Sequence, residues 1–205
     1  VAVIVGGTAF FRYQKAAKAR LATERLAMAR SVTDLEAVAA EFPRSVEAPI
    51  ALMQAGKEYY NSGSYDTALA KYAELQAQYP EHELAAGADL GRIHCLEAMG
   101  RVDEAAAAFK EFAANHKDHY LVPQAVLGQA RCLVQAGRLE EARVVCEDFI
   151  AANKENGYTM RVQDLLGTVK RKLEQGGAAT PAPAPAPAAA DAPAAAPAAE
   201  AAPAP

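Results

Sequence analysis

The chain has 205 residues and a formal net charge of −4, which allows one modest folded body and excludes a strongly basic nucleic-acid binder. Its 52% hydrophobic content overstates the core, because the last 25 residues, Pro181 to Pro205, are 15 Ala, 8 Pro, one Asp and one Glu. Outside that tail only Pro43, Pro49, Pro80 and Pro123 interrupt the backbone, so helices are permitted almost throughout and β structure is disfavoured.

Residues 1–11, VAVIVGGTAFF, form an uncharged apolar run, and the chain does not begin with Met. Eleven helical residues span about 16 Å, half of a ~30 Å hydrocarbon slab. Arg12, Tyr13 and Lys15 follow where interfacial anchors sit. The segment therefore reads as the C-terminal part of a truncated transmembrane helix in a fragment of a longer protein; a secretory-signal remnant and an ordinary buried helix end are the alternatives. Residues 12–30 carry six bases against Glu24 alone and read as a basic helical stem suited to anionic head groups. At the other end Gly176 and Gly177 close a helical pattern, and residues 176–205 read as a disordered Ala/Pro-rich spacer.

Between these ends the chain repeats. Gly63, Gly100 and Gly137 stand 37 residues apart twice over. Two residues past each glycine lie Tyr65, Val102 or Leu139, and five past it Ala68, Ala105 or Ala142. Nine past it are Tyr72, Phe109 or Cys146, and twelve past it Leu75, Phe112 or Phe149. Offsets of two, five, nine and twelve trace one face of a helix that starts just beyond the glycine. Phe42-Pro43 maps onto Tyr79-Pro80 with the same shift, so Ser31 to Phe42 is the second helix of an incomplete first unit. Thr159 to Gln175 is the first helix of an incomplete fourth, as at the ends of stacked arrays.

The unit from Pro49 to Pro80 resembles the tetratricopeptide repeat family. Leu52, Gly56 and Tyr59 fill the W-x2-L-G-x2-Y slots with Leu in place of Trp, and Ala68, Tyr72 and Pro80 fill the Ala, Phe and Pro slots. The later units match in part, and the period is three longer than the usual 34. The resemblance covers residues 31–175 and implies an all-α, right-handed superhelical solenoid of helical hairpins. With the apolar end and basic stem, the architecture is similar to membrane-anchored envelope proteins of the type of the ancillary Sec translocon subunit. It implies a repeat domain held at a bacterial inner membrane, on the periplasmic side or alternatively the cytoplasmic one, serving export or assembly in contact with a translocon or chaperone.

Carrying the family's groove positions across gives Ile50, Met53, Lys57, Tyr60 and Asn61 in the first full unit. The second offers Leu90, His94 and Glu97, and the third Gln124, Leu127, Arg131, Val134 and Gln135. Such a lining suits a protein or peptide partner. Lys57 with Asn61, and Arg131 with Gln135, partly echo a clamp for a peptide's C-terminal carboxylate, although Ala98 stands where that pattern wants Asn. The other reading is a soluble cytosolic adaptor or assembly subunit that binds peptide C-termini.

Catalytic constellations are thin. His116-x-x-His119 has ligand-like spacing but no Cys pair to complete a metal set, and His94 and Cys95 point apart on a helix. No cofactor, metal, nucleic acid or catalytic residue is expected, and the chain reads as a non-catalytic scaffold. Cys95 and Cys132 are 37 apart, hence in equivalent places too distant for a disulfide. With Cys146 they read as buried free thiols, which favours a reducing compartment.

Overall fold

A computed structural model describes residues 2–153 and 157–176, with the side chains of residues 2–11 outside the description. The expected spacer at 177–205 also lies outside the described residues. The described residues form helices without strands. These are α1 (Ala2–Met28), α2 (Val32–Glu41), α3 (Glu47–Asn61), α4 (Tyr65–Gln78), α5 (Ala85–Ala98), α6 (Val102–Asn115), α7 (Val122–Gln135), α8 (Leu139–Ala152) and α9 (Thr159–Gln175).

The 37-residue rhythm governs the boundaries. Gly63, Gly100 and Gly137 have φ of 80°, 77° and 76°, a left-handed backbone that side chains with a Cβ resist. Each ends the first helix of a hairpin through the same two bonds. The glycine N–H donates to Tyr60, Glu97 or Val134, and the next N–H donates to Tyr59, Leu96 or Leu133. This double closure satisfies carbonyls that the helix end leaves open. The connections between hairpins repeat as well: the Leu84 N–H donates to His82 Nδ1 and the Leu121 N–H to His119 Nδ1, 37 residues later. His119 is thereby part of a turn shared by two units, and no group of three or more metal-ligating side chains occurs among the described residues.

Stacking follows from alternating bulk. Tyr72 lies between two glycines: a Cβ at Gly56 would come within 2.6 Å of its ring and one at Gly91 within 2.8 Å. One unit on, Phe109 lies against Gly128, where a Cβ would approach to 2.5 Å, and Ile93 stands where the first unit has Gly56. In the third, the smaller Cys146 packs with Ala130. Phe109 and Phe112 are fully buried, and truncating either costs about 3–5 kcal/mol by analogy with other aromatic cores.

Curvature follows from which helices meet. The first helices touch in succession, α1 with α3, α3 with α5, α5 with α7 and α7 with α9, while no pair among the second helices α2, α4, α6 and α8 does so. The first-helix row is therefore the inner, concave layer. Ser31 and Asp34 cap α2 reciprocally, and α9 takes the fifth and last first-helix position.

Two findings differ from the sequence expectation. First, α1 is one helix through the apolar run and the basic segment, and its C-terminal part fills the first-helix position of the incomplete first unit. Ala22 is fully buried, Leu26 packs into the core with Val38 and Leu52, and Thr23 donates to Glu47 at 2.6 Å. Second, placement in a bacterial inner membrane with a periplasmic repeat domain is overturned, and nothing in the fold supports a membrane-proximal role for this helix. Among the described residues no helix is long and apolar enough to cross a membrane. Within α1, Arg12, Lys15, Lys18 and Arg20 follow the apolar run directly, so the described helix contains no apolar stretch of spanning length.

Candidate functional site

The concave layer opens into a hollow of about 470 Å³ lined by Tyr60, Tyr72, Gly91, His94, Glu97, Ala98 and Arg131. Tyr60 comes from the last turn of α3, the segment from Gly91 to Ala98 from α5, and Arg131 from α7. Glycine at 91 exposes the Tyr72 ring edge that a larger residue would cover. Tyr60 also stands edge-on to Tyr65, with ring centroids 5.3 Å apart.

A closed polar network crosses the hollow. Arg131 donates from Nε to Glu97 Oε1 at 2.9 Å and from Nη2 to Oε2 at 2.8 Å. His94 Nδ1 lies 3.1 Å from Glu97 Oε2, and its Nε2 lies 3.1 Å from Gln124 Nε2. A carboxylate accepts only, so Nδ1 carries the proton and Nε2 accepts from the Gln124 amide. The imidazole also packs edge-on against Phe109 at 5.1 Å.

This network sets the charges. Burial pushes the Glu97 carboxyl up, but hydrogen bonds from His94 and Arg131, with the Arg131 charge, more than offset it and hold Glu97 below the ordinary range. The bonds that Arg131 donates to Glu97 hold the guanidinium more firmly protonated. Burial, reinforced by the Glu97 charge, raises the Tyr60 phenol, and burial drives Tyr72 up to about 12. Both tyrosines are thus neutral donors at any ordinary pH. Neither hydroxyl has a hydrogen-bond partner among the described residues, so both are open to a ligand.

Of the residues expected to form the groove, Tyr60, His94, Glu97 and Arg131 meet in this hollow. Gln124 joins them through His94. Met53 instead reaches the next first helix, its Cε 2.8 Å from where a Gly87 Cβ would lie, and Leu90 is 3% exposed in the core. Leu127 and Val134 pack against core clusters, and Ile50 is half-buried. Lys57 lines a different hollow with Arg30, Ser31, Leu35, Gln54 and Glu58, and Asn61 and Gln135 are exposed at helix ends. The paired-clamp geometry is not assembled: Lys57 is apart, and Arg131 is engaged by Glu97. Sequence reasoning missed Tyr72 and Gly91 as lining residues, although Gly91 and Gly128, 37 apart, carried the signal.

Stacked helical hairpins that curve around a lined inner face define a helical-repeat protein built for contact with other chains. The tetratricopeptide repeat family model matches residues 53–115 and 90–156, together just over half of the chain, and the chain belongs to that family. Eighteen solved chains match significantly. The TPR-like repeats of a kinesin-light-chain-type protein from Podosopora anserina superpose with a TM-score of 0.60 at 16% identity, over 80% of this chain and 88% of that one. The type III secretion translocator chaperone SycD from Yersinia enterocolitica gives 0.51 at 27% identity, over 63% and 97%. SycD in complex with a peptide of the translocator YopD gives 0.50 at 24% identity, over 59% and 91%. No curated protein matches.

Proposed function

We propose that the chain is a non-catalytic scaffold whose concave hollow holds a largely neutral peptide segment of a client protein. The observation that carries this reading is the pairing of two unpartnered phenol donors, Tyr60 and Tyr72, with an ion network that is already closed. Main-chain carbonyls of a bound segment accept from the two hydroxyls, and its apolar side chains cover the exposed part of the Tyr60 ring. Arg131 is not free to grip a terminal carboxylate, because such a group has to displace Glu97 from a two-point contact. An internal segment fits better than a C-terminus. Likeness to a secretion chaperone supports a client protein in export or assembly as the source of that segment.

The test is selection of binders from a displayed library of random peptides against the full chain, followed by titration. Tyr60→Ala is expected to weaken selected peptides by roughly tenfold or more, the cost of an aromatic anchor in a pocket. Val144→Ala on the convex side should leave them unchanged, and amidating the peptide C-terminus should change affinity by less than about twofold, since no charge is read there. Peptides indifferent to Tyr60→Ala would place binding elsewhere.

A further inference from the structure

Some cations among the described residues are held in ion pairs and others are not, and the unpaired ones include Lys57, Lys110, Lys117, Arg161, Arg171 and Lys172 in the repeat region. In the repeat units Arg92, Arg101, Arg131, Arg138 and Arg143 each hold a carboxylate, so their charge is neutralised locally. Toward the amino-terminal end, Arg12, Lys15, Lys18, Arg20 and Arg44 are exposed and form no ion pair among the described residues. These five bases outnumber the nearby acids Glu24 and Glu41, although the chain as a whole is acidic.

Three of them converge. Lys15 and Lys18 on α1 and Arg44 after α2 line a hollow of about 950 Å³, with Glu41 the single acid in its lining. The hollow arises because α1 overruns its partner: 27 helical residues reach ~40 Å and the ten of α2 only ~15 Å. Phe42 and Pro43 supply apolar wall, and the small Ala19 and Ala40 leave the space between the helices unfilled. Tyr13 and Val46, next in sequence to the lining at either side, are 72% and 70% exposed. No lining residue is shared with the concave hollow.

We infer that this amino-terminal hollow is a second docking site and that its occupant is an acidic segment of a partner protein. Its carboxylates pair with Lys15, Lys18 and Arg44, and its apolar side chains cover Phe42 and Pro43. Charge complementarity names the sign of the partner. Concavity with an apolar wall fits entering side chains better than a flat sheet of head groups. The net negative charge of the whole chain works against a polyanion as long as a nucleic acid.

Fluorescence anisotropy on the full chain tests this, with a fluorescein-labelled peptide of about twelve residues alternating Glu and Leu as the probe. Expected are binding that weakens steeply with salt, no binding of the Lys-Leu counterpart, and a loss of roughly tenfold or more in the triple variant Lys15→Glu, Lys18→Glu, Arg44→Glu. The neutral triple Lys15→Gln, Lys18→Gln, Arg44→Gln should fall between, and Tyr60→Ala should stay within about twofold of the parent. All three side chains are exposed, so unchanged helical dichroism and melting accompany the loss. No binding at low salt, or retention of affinity in both triples, overturns the inference. So does tighter binding of phosphatidylserine vesicles or single-stranded DNA that the same triples abolish, since the surface then serves another class of partner.

Discussion

Arg131 on α7 reaches back to α5 and donates from two nitrogens to the two carboxylate oxygens of Glu97, at 2.9 and 2.8 Å. The pair ties successive first helices together across the hollow and sets its charge to neutral. It links repeat stacking to the ligand the groove can take.

The carboxylate of Glu97 is held below its ordinary range, so its contribution to stability is fully present above the unfolded-state value, near pH 4.3. That contribution disappears as pH falls through the lowered folded-state value. Thermal melts between about pH 7 and pH 3 should show a decline at the acid end that Glu97→Gln removes in part. A double-mutant cycle over Glu97→Gln and Arg131→Gln should give a coupling of about 1 kcal/mol, because the arginine side of the pair is open to water. No coupling at low salt would mean the two side chains are independent in solution.

Gly128 is where α7 meets the Phe109 ring. Adding a methyl gains up to ~1 kcal/mol of helix propensity, but the Cβ would lie 2.5 Å from the ring, and overpacking of this kind costs about 1–3 kcal/mol. Gly128→Ala should therefore lower stability by about 1 kcal/mol in urea titration, with part of the loss relieved when Phe109→Leu is added. A stabilised Gly128→Ala variant would show that the contact relaxes freely.

The thiols give an independent readout of the core. Cys95, Cys132 and Cys146 are buried and unpaired, and burial pushes them up to about 11, 12 and 11. Thiol and thiolate reactivity are suppressed together. Labelling with a chromogenic disulfide should be negligible in buffer and reach all three cysteines in guanidinium. Prompt labelling of any one in buffer would contradict its burial.

The repeat architecture was legible because it rests on local chemistry. A glycine that must take positive φ, followed by an apolar stripe, reports its own position, and the spacing from Gly63 to Gly100 to Gly137 carried the boundaries of α4, α6 and α8 with it. Ser31 and Phe42 bounded α2 for the same reason. The groove was legible only in part. Tyr60, His94, Glu97 and Arg131 share a face by helical period, but their pairing depends on the offset between α5 and α7, which no single helix encodes. Lys57 follows the same period yet turns toward the end of α1, since α1 supplies a first helix where the sequence suggested a stem. The apolar run before Arg12 suggested a membrane span, and among the described residues no helix is long and apolar enough to cross a membrane.

The measurement closest to the central claim is photocross-linking of a library-selected peptide to two full-length variants, one with benzoylphenylalanine at Tyr60 and one with it at Val144. A peptide lying in the concave hollow yields a cross-linked product from position 60, located by mass spectrometry, and little from position 144. Equal yields, or capture from position 144 alone, would contradict peptide binding along the inner face.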